Sequence, residues 1–534
     1  MKGWSPLLAL LGCAAVQAAD IPAGTELAAT QVVVRHLKDE PASLSPLKLV
    51  GLPELQVLRD LFEGLLTQGP DGKPVPAVAV RWENKDNQFF TFHLRPDARW
   101  SNGDPVKAGD FVYSWRKLVD PKEAATFAWF AQLARFDKVD EIMAGKLPAS
   151  ELGVKAIDDH TLQISLSQPV PYFLSLLTHP SLSPLHQASI EKFGNKWTQP
   201  GKLVGNGAFV LSSRVVNEKL ELVPNLHYWD KAHTVLTRVI FMPINQETTA
   251  TNRYLAGDLQ ITESFPKEQY DKLMKEIPGE VYTPMQLGTY YYAFNTRQPP
   301  LNDVRVRKAL SYTIDRALIA DKVLGTGEKP AYHFTPDVTA SFEPKANLLS
   351  SSSQQELDSK AQALLKEAGY GPDKPLKLSL LYNTAEVHKK LALAIANMWK
   401  QKLGAQVELT NQEWKTYLDS RQSGQFEVIR SSWVADYNDP SAFLGLWGSH
   451  HSGNMTGFAD TSYDQLLDKA AQTRDSGARS RLFDQAESIL EQQAPIAPIY
   501  QYTNARLIKP WLKGYPINNP EDVAYSRQLY IVKH

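Results

Sequence analysis

The residues best suited to chemistry gather in one stretch, Arg421–Pro440, which reads R-Q-S-G-Q-F-E-V-I-R-S-S-W-V-A-D-Y-N-D-P. An alternating, strand-like run, Phe426–Arg430, delivers Arg430, Trp433 and then Asp436 into a turn closed by Asn438, Asp439 and Pro440. Two arginines, a tryptophan and a carboxylate therefore crowd the place where a strand should end. Such a set suits a ligand with an ammonium at one end and a carboxylate at the other. A charge stripped of water is costly unless a fixed opposite charge and hydrogen bonds meet it. A peptide is a ligand of this kind. Strand addition satisfies its backbone without regard to side-chain identity, and roomy, wet pockets let one site accept many sequences.

Other chemistries lack their residues. The chain has no H-E-x-x-H, no G-x-S-x-G, no Walker A loop and no paired C-x-x-C. Gly325-Thr326-Gly327 lacks the third glycine of a nucleotide loop. His450-His451 sit among Ser449, Ser452 and Gly453 with no carboxylate or third histidine at ligand spacing, so they read as a solvated loop pair. A secreted peptide hydrolase, the rival from another class, needs a nucleophile or a metal, and the sequence supplies neither. A net charge of −1 argues against a nucleic-acid or anionic-membrane surface. No metal, no cofactor and no nucleic-acid partner is expected.

The elements around the stretch alternate between helix and strand. Strands are expected at Thr30–Arg35, Phe89–Leu94, Val154–Leu166, Leu220–Val223 and Val239–Met242. Helices are expected at Glu54–Leu66 and Val106–Val119, each flanked by turn-rich sequence. The aromatic strand around Tyr290-Tyr291-Tyr292 precedes a helix over Val304–Ala320, and the serine-rich Ala340–Gln355 reads as a surface loop. Then come helix Gln354–Ala368, strand Leu376–Leu381, helix Glu386–Lys402 and strand Gln406–Leu409, a pattern that predicts parallel pairing. Helices at Ser462–Gln472 and Ala478–Gln493 lead to strand-like Tyr500–Ile508 and Tyr530–Val532.

The length of 534 residues predicts several domains, and 43% hydrophobic with 22% charged residues is an ordinary soluble balance. Lys2, the apolar run Leu7–Leu11 and small residues up to Ala19 read as a secretory signal over 1–18, with Val16-Gln17-Ala18 fitting the cleavage rule. The rival is a lipoprotein box, Leu10-Leu11-Gly12-Cys13, which would leave a lipid on Cys13. Cys13 is the chain's 1 cysteine, so removal of the signal leaves no thiol and no disulfide.

Phe92–Arg95 (F-H-L-R), Arg99–Val106 (R-W-S-N-G-D-P-V) and Asp110–Ser114 (D-F-V-Y-S) resemble the family 5 solute-binding proteins of peptide ABC transporters. Arg59–Leu65, Gly153–Leu162, Lys192–Gly201, Asn302–Arg307, Leu381–Lys390, Asn411–Thr416 and Tyr530–His534 extend the resemblance along the chain from Ala19. It implies an α/β fold: a two-lobe, three-domain periplasmic binding protein (type II, cluster C-like) with hinge strands between lobes. Domain I would comprise 19–62, 186–287 and 502–534, domain II 63–185, and domain III 288–501. The implied function is a monomeric, non-enzymatic periplasmic receptor. It would capture short peptides and pass them to an inner-membrane ABC peptide permease. A murein tripeptide or another non-standard peptide is the alternative ligand.

The resemblance also assigns roles. Asp436 would take the ammonium, Arg430 the carboxylate of a short peptide and His388 that of a longer one. Arg421 would line the same region, Trp414 and Trp433 would form walls, and Tyr291, Asn383 and Tyr500 would fill other pocket positions. Departures from the family pattern are Phe127 for a tyrosine, Val50 for a carboxylate, Leu324 for a lysine and Gln286 for a tyrosine. Gly288 and Val434 stand where relatives carry disulfide cysteines. Loss of the lysine implies a bias toward peptides of about three or four residues.

Overall fold

The computed structural model describes residues 19–451 and 453–534, with Trp414 and Lys415 described in their backbone alone. The expected signal over 1–18, Cys13 included, lies outside the described residues. Among the described residues no helix is long and apolar enough to cross a membrane.

Two four-stranded sheets occupy the first half of the chain. In one, Val32–Leu37 runs parallel to Arg238–Pro243, followed by antiparallel Lys219–Pro224 and Phe209–Val215. In the other, Ala79–Lys85, Phe89–Leu94, Thr161–Ser165 and Val154–Asp158 pair antiparallel throughout. Alternation turns Phe90, Phe92, Leu162 and Ile164 inward. The helix Ala108–Val119 covers that sheet with Phe111, Trp115 and Leu118. Asp110 caps its start, accepting the Lys107 N–H at 2.8 Å.

The third sheet has six strands, in the order Lys329–Pro330, Ile496–Thr503, Met285–Phe294, Val428–Val434, Lys377–Asn383, Gln406–Gln412. Lys377–Asn383 is parallel to both neighbours, as expected of strands joined by helices such as Glu386–Leu403. The two long strands Met285–Phe294 and Ile496–Thr503 pair antiparallel with a register shift between Met285 and Thr289. Beyond the shift the ribbon continues as Val281-Tyr282 against Arg506-Leu507. Ile261 then bridges both Arg35 and Ile508, so the ribbon ends against the first sheet. These are the hinge strands between the lobes.

One hydrophobic core runs through both four-stranded sheets and on to the Tyr291, Ala293 and Ile429 face of the six-stranded sheet. A second fills the opposite face with Tyr290, Tyr292, Phe294 and Val428. Contacts that join the third sheet's body to the rest include the Tyr172–Tyr437 stack at 4.3 Å, the Lys267–Glu328 ion pair at 2.6 Å and the Asp86–Arg474 pair.

Several elements depart from the sequence expectation. The helix expected over Glu54–Leu66 is Leu52–Leu61, because the Asn206 side chain takes the Glu63 N–H at 3.0 Å. Val154–Leu166 is a hairpin, turned where Asp158 accepts the His160 N–H at 2.8 Å. The helix expected over Val304–Ala320 stops at Tyr312, and Asp315 caps a new start by accepting the Leu318 N–H at 2.9 Å. The Ala340–Gln355 loop holds a short helix, Leu348–Ser351, capped by Asn347. The strand of the key stretch is Val428–Val434, so Arg430 lies mid-strand rather than at its end, and Trp433 lies within it rather than past it.

Candidate functional site

Val428–Val434 lies between the first hinge strand and Lys377–Asn383, with Tyr292 opposite Arg430 and Tyr290 opposite Ser432. Directly opposed residues share a face, so Arg430 emerges among tyrosines. Its guanidinium lies 4.8 Å from the centre of the Tyr290 ring. It donates to Asn383 Oδ1 at 3.1 Å, Ser432 Oγ at 3.3 Å and Tyr502 Oη at 3.5 Å. Tyr500 stacks on Tyr290 at 4.7 Å, and Tyr502 meets Tyr500 edge-on at 5.1 Å. Arg430 is only 7% exposed, its Nε has no partner, and no carboxylate pairs with it among the described residues. Burial opposes its charge, but the surrounding phenol oxygens of Tyr290, Tyr502 and Tyr417 outweigh burial and hold its pKa above the usual arginine value. A buried, permanently charged cation with only neutral partners has hydrogen-bonding capacity and charge left to meet an anion.

His388 opens the helix Glu386–Leu403 beside this cage, with Nδ1 3.3 Å from Tyr290 Oη. Burial, and then the Arg430 charge, push its pKa down to about 4. It is therefore neutral near pH 7 and offers a hydrogen bond rather than a charge.

The strand then enters a turn that is pinned at every residue but one. Ala435 donates its N–H to Leu287 O at 2.9 Å. Tyr437 is buried on Tyr172. Asn438 Oδ1 accepts the Ala340 N–H at 2.7 Å. Asp439 grips Arg479 with both oxygens, at 2.5 and 2.8 Å, and accepts the Ser441 N–H. Asp439 is thus the turn-capping aspartate. Asp436 has no hydrogen-bond or ion-pair partner among the described residues. Its side chain is open to solvent on one side, yet the protein around it displaces enough water to raise its carboxyl pKa, with burial the only cause. An acceptor raised in this way gains most from an arriving cation.

Asp436, Arg430, His388, Asn383 and Tyr500 thus belong to one wall and its turn. Trp433, Tyr291 and Arg421 belong to the sheet's other face. Trp433 is half-buried and donates Nε1–H to Ala442 O at 2.7 Å. Tyr291 is fully buried against Phe334 and Trp447, its hydroxyl pushed up to about 12 by burial. Arg421, on the helix Trp414–Ser423, directs Nε to Met455 Sδ at 3.3 Å, and its charge is felt by Tyr291 and Tyr417. The Trp414 side chain lies outside the described residues.

Sequence reasoning missed Tyr290, Tyr502 and Ser432. Within Tyr290-Tyr291-Tyr292 it named Tyr291, which lies on the face opposite to Arg430, since neighbouring residues in a strand alternate faces. Strand parity against Arg430 is the signal that separates them. Among the described residues no group of three or more His, Cys, Asp or Glu side chains is placed to hold a metal ion.

This geometry has relatives. The profile of the bacterial extracellular solute-binding proteins, family 5, matches residues 73–455. The chain is 61% identical over 517 residues to the periplasmic murein peptide-binding protein MppA of Escherichia coli (strain K12), covering 97% of this chain and 96% of that protein. It is 48% identical over 529 residues to the periplasmic oligopeptide-binding protein OppA of Salmonella typhimurium, covering 99% and 97%. A solved structure described as the MppA periplasmic murein tripeptide binding protein in its unliganded open form superposes with a TM-score of 0.92 over 96% of this chain and 99% of that one. Another structure, of the Escherichia coli murein tripeptide binding protein MppA, is equally 61% identical and covers 96% and 100%, but gives 0.74. At equal identity the chain thus superposes more closely on the structure described as the open form. The chain belongs to the bacterial extracellular solute-binding proteins of family 5.

Proposed function

We propose that this chain is a periplasmic receptor that captures short peptides between its lobes and delivers them to an inner-membrane ABC peptide permease. One observation carries the reading. Among the described residues a carboxylate without a partner, Asp436, and a cation without a carboxylate, Arg430, are held on one strand and its turn, while the turn's other acid, Asp439, is taken by Arg479. The wall is complementary to a zwitterion. Closure would bury the peptide and complete contacts that the open state lacks, and no bond is made or broken. Asp436 takes the ammonium and Arg430 the carboxylate, with Asn383, Tyr500 and neutral His388 around them. The relatives are described as periplasmic binding proteins, one for murein peptide and one for oligopeptides, which agrees with this role.

A second ligand is favoured by the higher identity to the murein peptide-binding protein, 61% against 48% for the oligopeptide-binding one. A murein tripeptide carries more carboxylates than an ordinary tripeptide, and Arg421, across the sheet from Arg430 but with its charge likewise felt at Tyr417, is a second cation with no carboxylate partner among the described residues. Native mass spectrometry of protein purified from its host without denaturation tests both readings. A ladder of small peptide adducts, lost in Asp436→Asn, supports broad capture. One uniform tripeptide mass, also lost in Asp436→Asn, supports the murein ligand. Empty protein, or an adduct indifferent to that substitution, overturns both.

A further inference from the structure

We propose that Glu521 is a positioning residue for the ligand's ammonium, acting through the Asp436 turn and coupling capture to the release of a proton. The inference rests on the receptor reading above.

Backbone hydrogen bonds make the connection. Leu287, on the first hinge strand, donates its N–H to Pro520 O at 3.2 Å and accepts the Ala435 N–H at 2.9 Å. The segment Asn519–Asp522 is thereby linked through one hinge residue to the neighbour of Asp436. On its other side the same segment approaches the turn across Gly72. Gly72 is wedged between them, and a Cβ there would lie 3.1 Å from Asn519 Oδ1 and 3.5 Å from Asn438 Nδ2. Asn519 donates to Gln68 Oε1 at 3.0 Å and accepts the Glu521 N–H at 3.0 Å.

The Glu521 carboxyl sits inside this junction. Gln68 Nε2 donates to one oxygen, and the other is buried without a partner. The Asn438 backbone N–H also favours its charged form. Arg59 faces it from the helix Leu52–Leu61 and is itself destabilised by burial, yet the two lie outside ion-pair distance. Tyr525 accepts the Gln68 N–H at 3.3 Å, and Asp522, the next acid, is taken by Arg506 and Tyr515. His179, beyond Arg59, is held neutral with its pKa pushed down to about 3 by burial and then by Arg59. Burial pushes the Glu521 carboxyl up to about 7, against the pull of Gln68, Arg59 and Asn438. Glu521 thus changes charge at neutral pH, in a segment bonded to Leu287 of the hinge strand, which in turn bonds the ammonium-binding turn at Ala435.

The direction follows from linkage. An ammonium docked on Asp436 favours the ionised form of Glu521, so Glu521 loses its proton to solvent on binding. Reciprocity then requires ionised Glu521 to strengthen ammonium binding. The contribution is present above about pH 7 and is lost as the pH falls through that value. A coupling at the weak end of the usual range, about fivefold, gives about threefold weaker binding at pH 6 than at pH 7.5, and release of about 0.4 proton per peptide at the midpoint.

Isothermal titration calorimetry tests this with trialanine and the murein tripeptide, at both pH values and in buffers of contrasting ionisation enthalpy. The peptide's own amino group titrates near 8, so the signature is the difference between the wild type and Glu521→Gln. The isosteric amide should abolish that difference in pH dependence and in proton count while peptide still binds at pH 7.5. Arg59→Met, which removes the facing cation, should move the midpoint upward. A Glu521→Gln protein with the wild-type pH slope and proton count overturns the proposal. Binding of neither peptide by the wild type at pH 7.5 overturns the receptor reading itself, and this proposal with it.

Discussion

Replacing Asp436 with asparagine keeps the shape of the side chain and removes its charge. Because nothing among the described residues bonds to Asp436, melting temperature should stay nearly unchanged. Peptide affinity measured by calorimetry should fall by about thirtyfold or more, the cost of removing one partner of a buried charge pair. An N-acetylated peptide, which lacks the ammonium, should not distinguish the two proteins. His179 gives a second test. It lies between Phe127 and Phe130 at 5.2 and 4.4 Å, and burial holds it neutral with a pKa of about 3. An unfolded histidine titrates near 6.5, so between those values the unfolded chain binds the extra proton. Stability is therefore intact above about pH 6.5 and lost on acidification, at no more than about 1.4 kcal/mol per pH unit from this group. Chemical denaturation of His179→Asn across that range should show a flatter slope. The sequence made Asp436 and Arg430 legible because each breaks a local rule: a strand-borne cation, and a carboxylate beside an apolar run. It did not show that Asp439 rather than Asp436 caps the turn, since Arg479, its partner, lies on another helix. Glu521 was silent for the same reason, because its perturbation comes wholly from residues distant in the chain.

At the scale of elements, Gly288 and Val434 face each other across the hinge strand and its neighbour. A Cβ at Gly288 would lie 3.1 Å from Val434 Cγ2, so the register brings the two positions into contact. The paired variant Gly288→Cys with Val434→Cys should therefore oxidise in air, which thiol titration or non-reducing electrophoresis would show. The bond should raise the melting temperature only in its oxidised form. Failure to oxidise would contradict the register of these strands. Strand and helix periodicity located most elements, including the parallel strand Lys377–Asn383 and the helix that follows it. Boundaries escaped where a side chain from another segment captured a backbone group. Asn206 stopping the helix at Leu61 is one such case. Faces escaped where consecutive residues are alike, as in the three tyrosines at 290–292.

For the whole molecule, capture should appear as closure and as stabilisation. Small-angle scattering should show a smaller radius of gyration when peptide is added, since the chain superposes at a TM-score of 0.92 on a structure described as an open form. Free peptide at a hundred times its Kd should stabilise the fold by about 2.7 kcal/mol. A rise in melting temperature with no change in radius would mean that peptide binds without lobe closure. The first sheet carries one more consequence. Its opening strand, Val32–Leu37, has its parallel partner at Arg238–Pro243, and the Gln31 side chain bonds Ile531 from both its amide ends. On a chain that emerges from its N-terminus, that strand waits through some two hundred residues for a neighbour, and Gln31 waits for nearly the whole polypeptide. Contacts so distant in sequence form slowly. The first sheet is therefore among the last parts of the fold to be completed as the chain is made.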